Sequence, residues 1–196
     1  MKASKSTDNE IPTLLFPKQK DWADWLRKNH AKSSGVWLKL AKKSSGSQSV
    51  SYAEALEIAL CYGWIDGQKK SYDESFWLQK FTPRGAKSIW SKINKGKAGE
   101  LIRSGRMKPA GLNAVERAKQ DGRWDAAYDS PSVSTVPPDF QARLNKSARA
   151  KAFFATLNSA NRYAILFRIQ TAKKAETRAR KIEQFIDMLE RKEKLH

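Results

Sequence analysis

Apolar residues recur along this chain at more than one spacing, and each spacing predicts a different element. In KQKDWADWLRKNH, Trp22, Trp25 and Leu26 fall three and four apart, the period of one helix face. Asp21 near the start and basic residues near the end suit the helix dipole. After Gly35, VWLKLAK alternates apolar and basic residues and predicts a strand, and KKSSGSQS is a loop by composition. SYAEALEIALCYG is apolar on nearly every side, the pattern of a buried helix. Ser51 and Glu54 have capping-box spacing, in which the hydroxyl accepts the amide three residues on and the carboxylate reaches back. Gly63 can close that helix.

From Trp64 to Thr82 the period moves toward two. A strand here puts Trp64, Asp66 and Gln68 on one face and Ile65 and Gly67 on the other. SYDE makes a turn, FWLQKF a returning strand, and Thr82-Pro83 an extended end, so a hairpin is expected across residues 64–82. Ser88 is placed to cap a helix running to about Ser104, with Trp90, Ile93, Ala98, Leu101 and Ile102 inward. Pro109 suits the first turn of a further helix, which Gly122 terminates. DSPSVSTVPPD reads as a linker, and beyond it helices are expected at roughly 139–145, 148–157, 159–172 and 174–192. Ala175, Ala179, Ile182, Ile186 and Leu189 form the stripe of the last one. The pattern predicts an α+β fold, with a short antiparallel hairpin or sheet and helices in a mixed N-terminal half and a helical C-terminal half. The expected division is a flexible tail at 1–10, a mixed domain at 11–125, a linker at 126–138 and a helical region at 139–196 packed on the first.

Charge changes this picture more than composition does. With 38 Lys+Arg against 20 Asp+Glu, the formal net charge of the 196 residues is +18, which favours nucleic acid, anionic lipid or acidic partners. Cys61 is the one cysteine, so an intrachain disulfide and a multi-thiolate metal site are excluded, and its apolar surroundings suit an inert thiol. No signal-peptide core and no run of transmembrane length is present, so no integral membrane association is expected and the default address is the cytoplasm.

Two constellations carry candidate chemistry. The first is an anion site built from Trp64, Asp66, Gln68, Lys69, Arg84, Lys87, Ser88, Trp90, Asn94 and Lys95. Arg84 can fork onto a carboxylate or phosphate, Lys87 adds a point charge, and Ser88 at a helix start adds amides and a favourable dipole. Tryptophans can stack on a ligand, and Asp66 can orient Arg84 or a ligand hydroxyl. The same residues are also accounted for by core tryptophans and a solvated charged face. The second is a basic stripe, Lys92, Lys95, Lys97, Arg103, Arg106 and Lys108, which could track phosphates or serve solubility alone. The opening turns of the last helix crowd Lys173, Lys174, Arg178, Arg180 and Lys181, against its dipole. No GxSxG, P-loop, GxGxxG or HExxH is present, so no catalytic residue, metal or cofactor is assigned.

GWIDGQ, then FTPR with SIWSKINK, then LIRSGRMKPAGL and GRW, together resemble the YdeI/OmpD-associated proteins, also labelled bacteriocin-protection proteins. AKAFFATLNSANRYAILFRIQTAKKAETRARKIEQFIDML is similar to the helical region of that family. The resemblance covers most of the chain after about residue 15 and implies a bacterial protein tied by its family labels to envelope-stress or bacteriocin protection and to a porin. It brings no catalytic residues. Three functions stay open: non-catalytic binding of a small anionic ligand or acidic protein partner, non-specific nucleic-acid binding through the basic stripe, and an enzyme of unknown class using the tryptophan-lined residues.

Overall fold

A computed structural model describes residues 11–195. The tail expected at residues 1–10 lies outside the described residues. The chain divides into two compact units. The first takes in the chain up to Ser88 together with Gly96–Gly122, and the second holds Ile89–Lys95 and the chain from Arg123 onward.

The first unit is built on a four-stranded sheet. In chain order its elements are β1 (Thr13–Leu15), α1 (Gln19–Asn29), β2 (Val36–Ala41), α2 (Tyr52–Cys61), β3 (Trp64–Ser71), β4 (Phe76–Pro83), the greater part of α3 (Lys92–Arg103) and α4 (Pro109–Gln120). The strand order is β1-β2-β4-β3; β1 runs parallel to β2, and the other pairs are antiparallel. Val36, Leu38 and Leu40 alternate with half-buried Trp37, Lys39 and Ala41, so one sheet face is core and the other meets solvent. On the core side Trp22 of α1 lies 5.7 Å from Phe81 and 5.4 Å from Trp25, while its indole donates to the Ala55 carbonyl of α2. The capping box is formed: Ser51 accepts from the Glu54 amide, and Glu54 accepts from the Ser51 amide.

Three local features depart from simple periodicity. Asp66 pairs with Phe81 but Lys69 pairs with Gln79, so β3 carries one extra residue there and its alternation breaks after Asp66. Gln79, 3% exposed, fills the bulge by donating from its amide to the Gly67 and Gln68 carbonyls at 2.9 and 3.2 Å. Second, α3 begins at Lys92 rather than at Ser88, because Ser91 accepts the Asn94 amide while Ser88 sits in a turn closed by its own amide on the Gly85 carbonyl. The shift leaves Ala98 and Leu101 buried but Ile93 and Ile102 exposed, not inward as their spacing suggested. Third, α4 lies tight against the end of α2. Lys108 donates its amide to the Cys61 carbonyl, Gly63 has φ of +71°, and a Cβ at Gly111 would come within 2.4 Å of the Cys61 oxygen.

The second unit is helical: α5 (Pro138–Asn145), α6 (Ala148–Thr156), α7 (Ser159–Gln170) and α8 (Ala175–Glu190). Phe140, Leu144, Phe154, Ile165, Ile169, Ile186 and Leu189 are among the residues of its core. Tyr128, in the stretch before α5, exchanges backbone bonds with Trp90 and Lys92, which pins that stretch to the Ile89–Lys95 segment. The crowded cations of α8 are answered locally. Arg178 binds Asp139 and the Ile169 carbonyl, and Lys181 donates to the Arg168 carbonyl, so both meet the negative end of α7. The Arg178 guanidinium holds the Asp139 carboxyl below the usual carboxylate range.

The close approach of α4 can be tested directly. Gly111→Ala places a methyl against the Cys61 and Leu60 carbonyls and the Met107 sulfur, and is expected to cost about 1–3 kcal/mol as overpacking. The midpoint of denaturant unfolding measures it; an unchanged midpoint would show that the helices separate freely.

Candidate functional site

The junction of α1, α2, β3, β4 and α4 leaves an open cavity of about 530 Å³ in the first unit. Each wall follows from how an element ends. Helix α1 stops at His30, and α2 closes on Tyr62 and Gly63, whose positive φ turns the chain straight into Trp64. Strand β4 ends at Pro83, and the next amide, Arg84, donates to the Gly63 carbonyl at 2.9 Å. The Arg84 side chain is thereby held in the cavity wall, 6% exposed. Across it, Asn113, Glu116, Arg117 and Gln120 lie at steps of three and four along α4.

His30 Nδ1 sits 2.9 Å from the Leu26 carbonyl, and since a carbonyl only accepts, that nitrogen carries the proton. The Trp64 indole donates to the His30 carbonyl at 3.0 Å, and the His30 ring leans on Tyr62 at 5.3 Å. Burial pushes the Tyr62 hydroxyl above its ordinary pKa, so it is neutral at physiological pH. Arg84, Arg117 and Glu116 line the cavity, and Glu116 is held by Lys119 at 2.8 Å. A second opening of about 440 Å³ in the same unit is lined by Lys20, Arg106, Lys108 and Cys61, among others. Burial raises the Cys61 thiol, which keeps it protonated and unreactive.

Of the ten residues expected at an anion site, Trp64 and Arg84 line this cavity. Trp64 is 1% exposed and acts as wall and anchor, not as a stacking platform. Asp66 accepts a 2.7 Å hydrogen bond from the Tyr52 hydroxyl. Gln68 is exposed at the bulge, and Lys69 reaches over the Trp77 ring. Lys87 is exposed and Ser88 lies in the turn before α3, away from any helix start. Trp90, Asn94 and Lys95 belong to the second unit, where Trp90 packs edge-on against Trp124 at 4.9 Å. His30, Tyr62, Asn113, Arg117 and Gln120 were not anticipated; the polar stripe along α4, read at helical spacing, was the signal available for the last three.

Residues 14–114 match the family model described as Domain of unknown function (DUF8412). The chain belongs to this family. Residues 133–192 match a second model, described as Bacteriocin-protection, YdeI or OmpD-Associated, so the C-terminal part carries the YdeI/OmpD-associated region. Nine of the cavity's twelve lining residues fall within the DUF8412 span, and Glu116, Arg117 and Gln120 lie just beyond it; GWIDGQ and FTPR, quoted above for the other resemblance, also fall within that span. No curated protein and no solved structure matches the chain.

In this DUF8412 chain the basic stripe is largely engaged with acids. Lys92 binds Asp129 at 2.7 Å and Lys95 binds Asp125 at 3.5 Å in the second unit; Lys97 and Arg106 both reach Glu57 at 3.3 Å in the first. Four of the six cations thus spend charge locally, and exposed pairs of this kind add little stability. Among the described residues, no group of three or more His, Cys, Asp or Glu could hold a metal, and no helix is long and apolar enough to cross a membrane.

The Lys92 hydrogen bond, then that of Gln170, depresses the Asp129 pKa below its ordinary value. A depressed carboxylate pKa means the stabilisation is present at neutral pH and fades as acid protonates the group. Lys92→Ala is expected to raise the Asp129 pKa toward the ordinary range, with Gln170 retaining part of the effect. A carbon-detected NMR titration of the Asp129 carboxyl measures it, and an unmoved titration curve would contradict the assignment.

Proposed function

We propose that the chain binds a small anion, a carboxylate or phosphate compound or the acidic side chain of a partner, in the cavity walled by Trp64, Arg84 and α4, without transforming it. The observation that carries this reading is an open cavity lined by two arginines, Arg84 and Arg117, against one carboxylate, Glu116, that is held by Lys119. Charge-assisted hydrogen bonds are strongest where water is partly excluded, and a planar guanidinium matches carboxylate and phosphate oxygens two at a time. Arg117 adds a second cation from α4, and Asn113 and Gln120 supply neutral donors. A volume near 530 Å³ falls in the range of small-molecule sites. Binding is favoured over turnover because the one carboxylate among the lining residues, Glu116, is held by Lys119, and Cys61, the chain's one thiol, is kept protonated by burial. The bacteriocin-protection description of residues 133–192 supplies the biological setting of the same proposal: protection by sequestering or sensing an anion.

The experiment is a melting-temperature screen of the full chain against inorganic phosphate, dicarboxylates and nucleoside monophosphates. A ligand at a hundred times its Kd is expected to stabilise the fold by about 2.7 kcal/mol. Arg117→Ala, an exposed position, is expected to abolish the shift while leaving the unliganded melting temperature unchanged. The reading fails if no anion raises the melting temperature, or if the shift survives in Arg117→Ala and in Arg84→Lys alike.

A further inference from the structure

The outward face of the sheet carries aromatic rings and lysines on neighbouring rungs. Cross-strand register aligns Trp37 of β2 with Lys80 of β4, then Lys39 with Leu78 and Lys70 of β3, then Ala41 with Phe76. Tyr72, 50% exposed, follows directly on β3 beyond Ser71, next to the Phe76 rung. A rung on which Lys39 and Lys70 flank the buried Leu78 therefore lies between one rung bearing Trp37 and Lys80 and another bearing Phe76 and Tyr72. The ammonium of Lys70 sits 4.2 Å from the centre of the Trp37 ring, that of Lys80 5.7 Å from it, and that of Lys39 4.4 Å from the Tyr72 ring. At the β3 edge a groove of about 500 Å³, lined by Lys42, Lys69, Lys70, Ser71 and Trp77, shares Lys70 with this face. Unlike the stripe of α3, none of Lys39, Lys42, Lys69, Lys70 and Lys80 is in an ion pair among the described residues.

We infer that this face binds single-stranded nucleic acid, with bases stacking on Trp37 and Tyr72 and phosphates met by Lys39, Lys70 and Lys80. Unneutralised cations call for a polyanion, and the accessible rings among them call for a polyanion with flat apolar faces. A duplex hides its bases, and a sugar polyanion has none. The lysines over the rings do not compete effectively. An ammonium above an exposed ring is worth a factor of ~2–5 in an equilibrium constant, whereas a base stacked on an aromatic side chain is worth ~5–150. An arriving base displaces the ammonium, which is then free to swing to the neighbouring phosphate. The cavity at Arg84 plays no part in this surface, so the two proposals stand or fall separately.

Fluorescence anisotropy of the full chain with a labelled oligothymidylate of about twelve nucleotides tests the inference, with unlabelled duplex DNA and heparin as competitors. Binding that weakens steeply between about 50 and 200 mM salt is expected. Tyr72→Ala and Trp37→Ala are each expected to weaken it about fivefold or more. Lys39→Gln, Lys70→Gln and Lys80→Gln combined are expected to lower the salt slope by about 2, at about 0.7 for each single-strand phosphate contact. Tyr72 is half exposed, so its variant keeps the test valid should Trp37→Ala fail to fold. The inference is overturned by no binding at low salt, or by unchanged affinity in folded Tyr72→Ala. Heparin competing as well as the oligonucleotide would overturn it too, as would loss of binding in the combined Lys92→Gln, Lys97→Gln and Arg103→Gln variant, which would move the contact to α3.

Discussion

The approach of α4 to the end of α2 is the constraint on which the first unit's cavity depends. Two glycines make it possible: Gly63, whose φ of +71° and whose missing Cβ admit the Ala110 carbonyl, and Gly111, which lets the Cys61 and Leu60 carbonyls come close. Because the helices meet backbone to backbone there, the chain leaving α2 turns at once into β3. Trp64 is delivered beside His30, and Arg84 beside Gly63. Any side chain at Gly111 would lift α4 and with it Asn113 and Arg117, so the dimensions of the cavity are set by contacts that carry no charge at all.

Charge is distributed by a different logic. The net +18 does not describe a single basic surface. Arg178 and Lys181 neutralise a helix end, while Arg143 makes a paired contact with Glu183, holding that carboxyl below its ordinary range. The stripe around α3 is bound to Asp129, Asp125 and Glu57. On the outward face of the sheet, by contrast, Lys39, Lys70 and Lys80 have rings as neighbours and no ion pair among the described residues. Net charge read from composition overstates the stripe and gives no hint of the sheet, since it cannot tell a lysine beside an aspartate from one above a tryptophan.

The elements themselves were legible, apart from the three-residue β1, whose TLL is too short to show a period. Helical spacing located α1, α2, α4 and the four C-terminal helices to within a few residues, and the α+β division follows from it. Short-range rules worked where the interaction is short-range, as in the Ser51–Glu54 box and the Pro109 start. They misplaced the start of α3 because two serines three residues apart offer equivalent caps, and Tyr128, far along the chain, is what selects Ser91 by bridging it. The candidate site was legible in one part only, the pairing of Trp64 with Arg84. Its other walls come from α1 and α4, and nothing local in either helix records that a turn at Gly63 brings them together. The bulge at Gly67 was invisible for a similar reason: it depends on Gln79 across the hairpin.

That bulge ties the two faces of the sheet to one another. In β4, Phe81 points to the core and meets Trp22, while its neighbour Lys80 points outward on the same rung as Trp37. A slip of one residue would exchange every such pair, sending a phenylalanine to solvent and a lysine to the core. The core therefore fixes the register at the Trp64 end, and beyond it the extra residue in β3 resets the parity, so that Lys70 comes to lie on the same face as Lys39 and Lys80. Without the bulge, Lys69 would take that place and Lys70 would face α2. A buried glutamine whose amide saturates two carbonyls at the kink is what makes the irregular register stable. The outer array of rings and lysines is thus a consequence of Gln79 as much as of the residues that form it.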